Sequence, residues 1–76
     1  MKWIRVQYID IKKKQKEMLV NIDAIKFLFA ENRKDIITGT DYIVRGLPGD
    51  LYMTEGQFRD LEEQLGVEIP VWEVEI

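Results

Sequence analysis

Apolar residues recur at every second position along most of this chain, and only the stretch after Thr54 changes to a spacing of three and four. A period of two marks strands with one buried face, and a period near 3.6 marks an amphipathic helix. The chain is thereby confined to an α+β fold: an antiparallel β-meander with one helix over about 54–65 and a terminal strand. In Trp3–Ile9, Ile4, Val6 and Tyr8 share one face while Trp3, Arg5 and Gln7 share the other, which predicts the first strand. Lys12, Lys13, Lys14, Gln15 and Lys16 contain no apolar member and form a solvated turn, after which Glu17–Asn21 returns as the second strand. Asn21 and Asp23 bracket Ile22, and their side chains bond nearby backbone N–H groups, so a tight Asx turn follows.

Further along, Ile25, Phe27 and Phe29 alternate with Lys26, Leu28 and Ala30, predicting a third strand over Ala24–Glu31 with Asn32, Arg33 and Lys34 as its turn. Asp35–Thr38 and Tyr42–Leu47 read as the fourth and fifth strands, joined through Gly39, Thr40 and Asp41. Pro48, Gly49 and Asp50 mark a loop before a short extended segment, Leu51–Met53. Thr54-Glu55-Gly56-Gln57 then has the form of a capping box, with Met53 and Phe58 at the two staple positions. Phe58, Leu61 and Leu65 keep helical spacing until Gly66, the expected left-handed stop. Past Pro70, Val71–Ile76 alternates again, with Trp72, Val74 and Ile76 on one face and Glu73 and Glu75 on the other.

No repeat or low-complexity segment interrupts residues 1–76, which are read as a single domain. At 76 residues, only roughly 60% of the unfolded surface can be buried. The chain holds no cysteine and no histidine, so neither disulfides nor an ordinary zinc site adds stability. The same absences remove cysteine nucleophiles, histidine bases and histidine triads, and the remaining candidate acids identify no reaction. Glu31, Asp35 and Asp41 sit around adjacent turns but lack calcium-loop spacing. The Gly46–Asp50 glycine pair lacks the Lys-Ser/Thr of a phosphate loop and reads as a turn. The expectation is a protein without enzymatic activity, metal or cofactor. No apolar run approaches the ~18 residues of a membrane span, and the N-terminus does not have the form of a signal peptide, so a cytoplasmic protein without membrane contact is expected.

Two constellations bear on partners. Lys12, Lys13, Lys14, Lys16, Arg33 and Lys34 form a basic set that serves a nucleic-acid backbone if both turns meet on one edge of the sheet. Residues 1–50 carry 10 Lys and Arg against 7 Asp and Glu, whereas residues 51–76 carry 1 against 7, and the whole chain has a net charge of -3. An acidic chain is a poor candidate for nucleic acid, and a solubilising role for the lysines is the simpler reading. The second constellation is the apolar face of the terminal strand, Trp72, Val74 and Ile76, which either docks on its own sheet or adds to another copy. Lys2 and Arg5 of the first strand are the cations that Glu73 and Glu75 lack locally, so the first strand is the expected neighbour. A small core without cross-links gains from shared burial, which favours a homodimer.

Leu19-Val20-Asn21-Ile22-Asp23-Ala24-Ile25, Asp41-Tyr42-Ile43-Val44 and the helix over Thr54–Leu65 resemble the small FlbD/SwrD-like proteins of bacterial flagellar operons. That resemblance implies a bacterial, non-enzymatic regulatory or interaction role. Ile25 to Leu65, with Glu31-Asn32-Arg33 and Tyr42-Ile43-Val44-Arg45-Gly46, also looks like the first half of a LytTR DNA-binding domain. The chain departs from that pattern after Gly66, where Glu68, Glu73 and Glu75 stand in place of a basic, histidine-containing DNA-contacting strand.

Overall fold

The computed structural model describes residues 2–73. Alternation becomes sheet at β1 (Trp3–Ile9) and β2 (Gln15–Asn21), which pair antiparallel from Trp3 opposite Asn21 to Ile9 opposite Gln15. The turn between them is built by Asp10, whose carboxylate accepts the N–H groups of Lys12 and Lys14 at 2.9 Å each. Its carbonyl accepts the Lys13 N–H, and Lys13 adopts a left-handed φ of 62°. The expected Asx turn is present, with Asn21 Oδ1 accepting the Asp23 N–H ahead of a short 3-10 turn, Ile22–Ala24.

The third strand is shorter and later than its alternation predicts. Residues 25–28 carry no strand pairing, and β3 spans Phe29–Asn32. Ile25 and Leu28 still pack against the core, but from an irregular segment. Asp35–Thr38 is a turn rather than a strand. Three β-branched residues argued for extension, yet the Asp35 carboxylate accepts both the Thr38 N–H (2.7 Å) and its hydroxyl (2.6 Å), and the Gly39 N–H bonds the Asp35 carbonyl. A local side-chain bond therefore outcompetes the ladder.

Strands β4 (Tyr42–Leu47) and β5 (Gly49–Met53) are joined at Pro48 alone, so the loop expected over Pro48–Asp50 is a single-residue turn flanked by Gly46 and Gly49 at φ 107° and 90°. Helix α1 (Glu55–Leu65) has the predicted capping box, with the Thr54 hydroxyl accepting the Gln57 N–H (3.2 Å) and the Gln57 amide oxygen accepting the Thr54 N–H (3.1 Å). Gly66 ends it at φ 71°.

Strand β6 (Val71–Glu73) completes a sheet, among the described residues, of order β2-β1-β5-β4-β3-β6. The sheet is mostly antiparallel but not a meander. β6 runs parallel to β3, with Ala30, Glu31 and Asn32 opposite Val71, Trp72 and Glu73. The expected pairing of the terminal strand with Lys2 or Arg5 is thus overturned: β1 lies on the far side of β5 and β4, and Arg5 pairs with Glu17 at 3.4 Å. Two antiparallel partners already flank β4, and the free edge of β3 is what the returning chain meets.

Helix α1 covers one face of the sheet. Phe58 and Leu61 are buried with Ile4, Val6, Val20, Val44, Leu51 and Met53, and the Phe58 ring stacks on Tyr42 at 4.4 Å. β1 touches β5 only at Ile9 opposite Tyr52. Higher up β1, the Gln64 side chain takes the place of a strand, accepting the Arg5 N–H (3.2 Å) and donating to its carbonyl (2.6 Å). Among the described residues, no helix is long and apolar enough to cross a membrane, and no buried side-chain polar atom lacks a partner.

Candidate functional site

The sheet face opposite α1 carries the residues that alternation left without a core. Phe29 stands opposite Arg45, Glu31 opposite Ile43, and Trp72 beside Glu31, so all share this face. The Phe29 ring lies 5.4 Å from that of Trp72 and 6.1 Å from that of Phe27, making a continuous aromatic row along the margin formed by β3 and β6. Phe27 and Trp72 each keep 63% of their surface exposed. Isolated exposed apolar residues are ordinary, but a contiguous row of three aromatic rings beside a sheet edge is a patch.

An ion network borders the row. Arg45 Nε lies 3.2 Å from Glu31 Oε1, and its other arm reaches Asp50 across the β4–β5 turn. Glu31, and after it Asp50, hold the Arg45 guanidinium still more firmly protonated than usual. Phe27, Phe29, Arg45 and Asp50 line an open groove whose floor is Gly46 and Gly49. Gly46 makes that floor possible: a Cβ there would collide with the Phe27 carbonyl oxygen.

The path into β6 is held by Glu62, on the last turns of α1. Its carboxylate accepts the Ile69 N–H (2.8 Å) and a bond from Arg59 (2.7 Å). Partial burial works to raise its pKa, but the Ile69 N–H and then Arg59 outweigh that and hold it below the ordinary glutamate range. Of the expected partner residues, Trp72 joins the aromatic row, Glu73 sits opposite Asn32, and Arg5 lies in the opposite half of the sheet. Val74, Glu75 and Ile76 lie outside the described residues. Phe27, Phe29 and Arg45 escaped sequence reasoning as site residues because alternation alone cannot tell an outer face from an inner one.

The two basic turns lie at opposite ends of the sheet and do not form one patch. β1 is antiparallel to β5, β5 to β4 and β4 to β3, so β1 and β3 run in opposite directions: Lys12–Lys14 leave the sheet beyond Ile9 at the end that carries the β4–β5 turn, and Arg33–Lys34 leave it beyond Asn32 at the other end. β1 and β3 are three strand spacings apart, roughly 14 Å. Lys34 is partly spent on Asp41 (3.4 Å) and Lys16 on Asp10 (4.0 Å). The suspected acids serve the turns: Asp35 binds Thr38, Asp41 meets Lys34, and Glu31 meets Arg45. Comparison with known proteins adds no identity, since no protein-family model, curated protein or solved structure gives a significant match.

Proposed function

We propose that this protein is a small non-enzymatic interaction module that joins a second copy of itself through the β3–β6 margin. The observation that carries the reading is the aromatic row Phe27–Phe29–Trp72 beside an edge strand, with Phe27 and Trp72 exposed. Aromatic side chains supply most of the binding energy in interfaces of this kind, and an edge strand offers unpaired backbone groups to an added strand. Antiparallel addition of β6 to its own copy about Trp72 sets each Glu73 opposite the partner's Val71 rather than opposite a second Glu73, so like charges do not oppose. A 76-residue core without disulfides gains stability from such shared burial. The regulatory role implied by the flagellar-operon resemblance belongs to the same class.

Sedimentation velocity across a concentration series tests the reading. The full chain is expected to dimerise at micromolar concentration, with Phe27→Ala and Trp72→Ala shifting it to monomer. A full chain that stays monomeric at the highest concentration overturns self-association. A second reading, a nucleic-acid-binding regulator, rests on the lysine turn alone, because Arg33–Lys34 leave the sheet at its other end. A gel shift with duplex DNA at about 0.15 M salt decides it, because phosphate contacts that survive that screening must be numerous.

A further inference from the structure

The sheet has a second margin at β2, whose neighbour among the described strands is β1 alone. The Asp10 N–H bonds the Lys14 carbonyl at one end of this hairpin, and the Ile22 N–H bonds the Lys2 carbonyl at the other. Hydrogen-bonded pairs alternate along an antiparallel ladder, so Lys16, Met18 and Val20 point their N–H and C=O groups at β1. Glu17, Leu19 and Asn21 therefore point theirs away from the sheet. Leu19 is also 63% exposed, with Trp3 diagonal to it across the ladder and 56% exposed. From this coincidence of open backbone groups and apolar side chains we infer that β2 is a second self-association edge, which pairs antiparallel with β2 of another copy about Leu19.

The side chains of β2 select that partner and that register. A twofold axis at Leu19 sets Leu19 against the partner's Leu19, Met18 against the partner's Val20, and Glu17 against the partner's Asn21. Val20 is buried and Met18 packs half-buried against the core, so their meeting continues apolar packing across the axis. On the other face the two leucines cover each other. Glu17 already meets Arg5 at 3.4 Å, so it does not present a free charge to the incoming strand. An axis at Glu17 would oppose two like charges, and an axis at Met18 would set Lys16 against Val20 and Glu17 against Leu19. An axis beyond Leu19 shortens the ladder, because the 3-10 turn begins at Ile22. A foreign strand would have to bring a matching sequence, whereas a second copy carries it.

In the strand order β2 and β6 are the two outer members, so the two margins do not compete for one surface. Where the β6 contact proposed above also forms, each copy has two self-complementary edges and the assembly grows beyond a dimer. That growth rests on the β6 reading, but the β2 contact does not. One leucine per copy covers less surface than the three aromatic rings of the other margin. Pairing through β2 is therefore expected near millimolar concentration, above the range in which β6 pairs.

Sedimentation velocity of the full-length Trp72→Ala chain near millimolar concentration tests the inference, because that substitution removes the β6 contact. A dimer is expected. Leu19→Glu added to it should weaken the dimer about a hundredfold, since the twofold axis doubles the lost burial. The fold accommodates Leu19→Glu, because the new carboxylate faces Arg5 across the ladder, and an unchanged melting curve checks this. Glu17→Pro is the second variant: it deletes an N–H that β1 does not use and should abolish pairing. In the dimer, amide exchange at Glu17 and Leu19 should slow with concentration while that at Met18 changes little. A Trp72→Ala chain that stays monomeric overturns the inference, even if mixing it with the Leu19→Glu chain restores a dimer, which would mean that β2 receives β6 instead. So does a dimer that survives both Leu19→Glu and Glu17→Pro, or one in which Glu17 and Leu19 exchange as fast as in dilute solution. Failure of the β6 reading shows separately, as a full-length Leu19→Glu chain that remains monomeric.

Discussion

Single residues carry much of the local geometry here, and two of them answer to simple perturbations. Gly46 has a left-handed φ and lies where a side chain would strike the Phe27 carbonyl, so Gly46→Ala combines backbone strain with a clash that only main-chain movement relieves. The expected loss is about 3 kcal/mol, against about 1 kcal/mol for Gly56→Ala as a control of opposite sign, since Gly56 is helical and unobstructed. Denaturant midpoints check the pair. Asp10 and Asp35 are the second case. The Lys14 N–H, with Lys12, lowers the Asp10 pKa, and the Thr38 hydroxyl and N–H lower that of Asp35. A depressed pKa means that the folded state prefers the charged carboxylate, so this support is present above the ordinary aspartate range near pH 4 and is lost as pH falls through the lower, folded values. Carboxyl titration followed by NMR should give midpoints for both below the ordinary range. Midpoints at or above it would show that the turns are not closed by these bonds.

At the scale of elements, α1 and β6 depend on each other through Glu62. The helix forms from local signals, and the chain that leaves it is tied back on its way to β3 by the Ile69 N–H bond to the Glu62 carboxylate. Glu62→Ala leaves that partly buried donor unpaired and frees Arg59, at an expected cost of about 2 kcal/mol. The loss should be localised: amide exchange is expected to rise at Ala30, whose N–H bonds the Pro70 carbonyl, while Tyr42–Val44 stay protected. Uniform acceleration across both strands would mean that β6 is not a separable element. Glu62→Gln should recover part of the loss, because an amide oxygen still accepts the Ile69 bond.

For the whole molecule, the order of the strands makes β6 the lid on one margin of the sheet and leaves β2 at the other. A chain ending at Ile69 keeps the helix and β1–β5 but uncovers the β3 edge and one side of the Phe29 ring. It is expected to remain folded, with stability lowered by about 2 kcal/mol from the lost ladder and apolar contact, and to lose the self-association proposed for the full chain. Thermal melts together with sedimentation of both chains provide the check. A shortened chain that melts like the full one would remove β6 from the stabilising structure.

What the sequence determined by itself was whatever depends on neighbours within about four positions. The strand over Trp3–Ile9, the Asn21 turn, the Thr54 capping box and the Gly66 stop all follow from contacts of that range, and each is present. The turn at Asp35–Thr38 belonged to the same range, through an Asp three residues before a Thr with Gly39 behind it, but its β-branched residues carried the stronger propensity signal. The tertiary structure decided which strand lies beside which. Periodicity states that Val71–Glu73 has two faces but not which edge is open to receive it, so charge matching to Arg5 pointed across the sheet from the edge that β3 actually offers. It likewise cannot say that Gln64 will bind the backbone of a residue 59 positions away, or that Phe27, Phe29 and Trp72 will meet. Those contacts are selected by the packing of the whole sheet against one helix, because that arrangement buries Phe58, Leu61 and their partners together while leaving the opposite face to the aromatics.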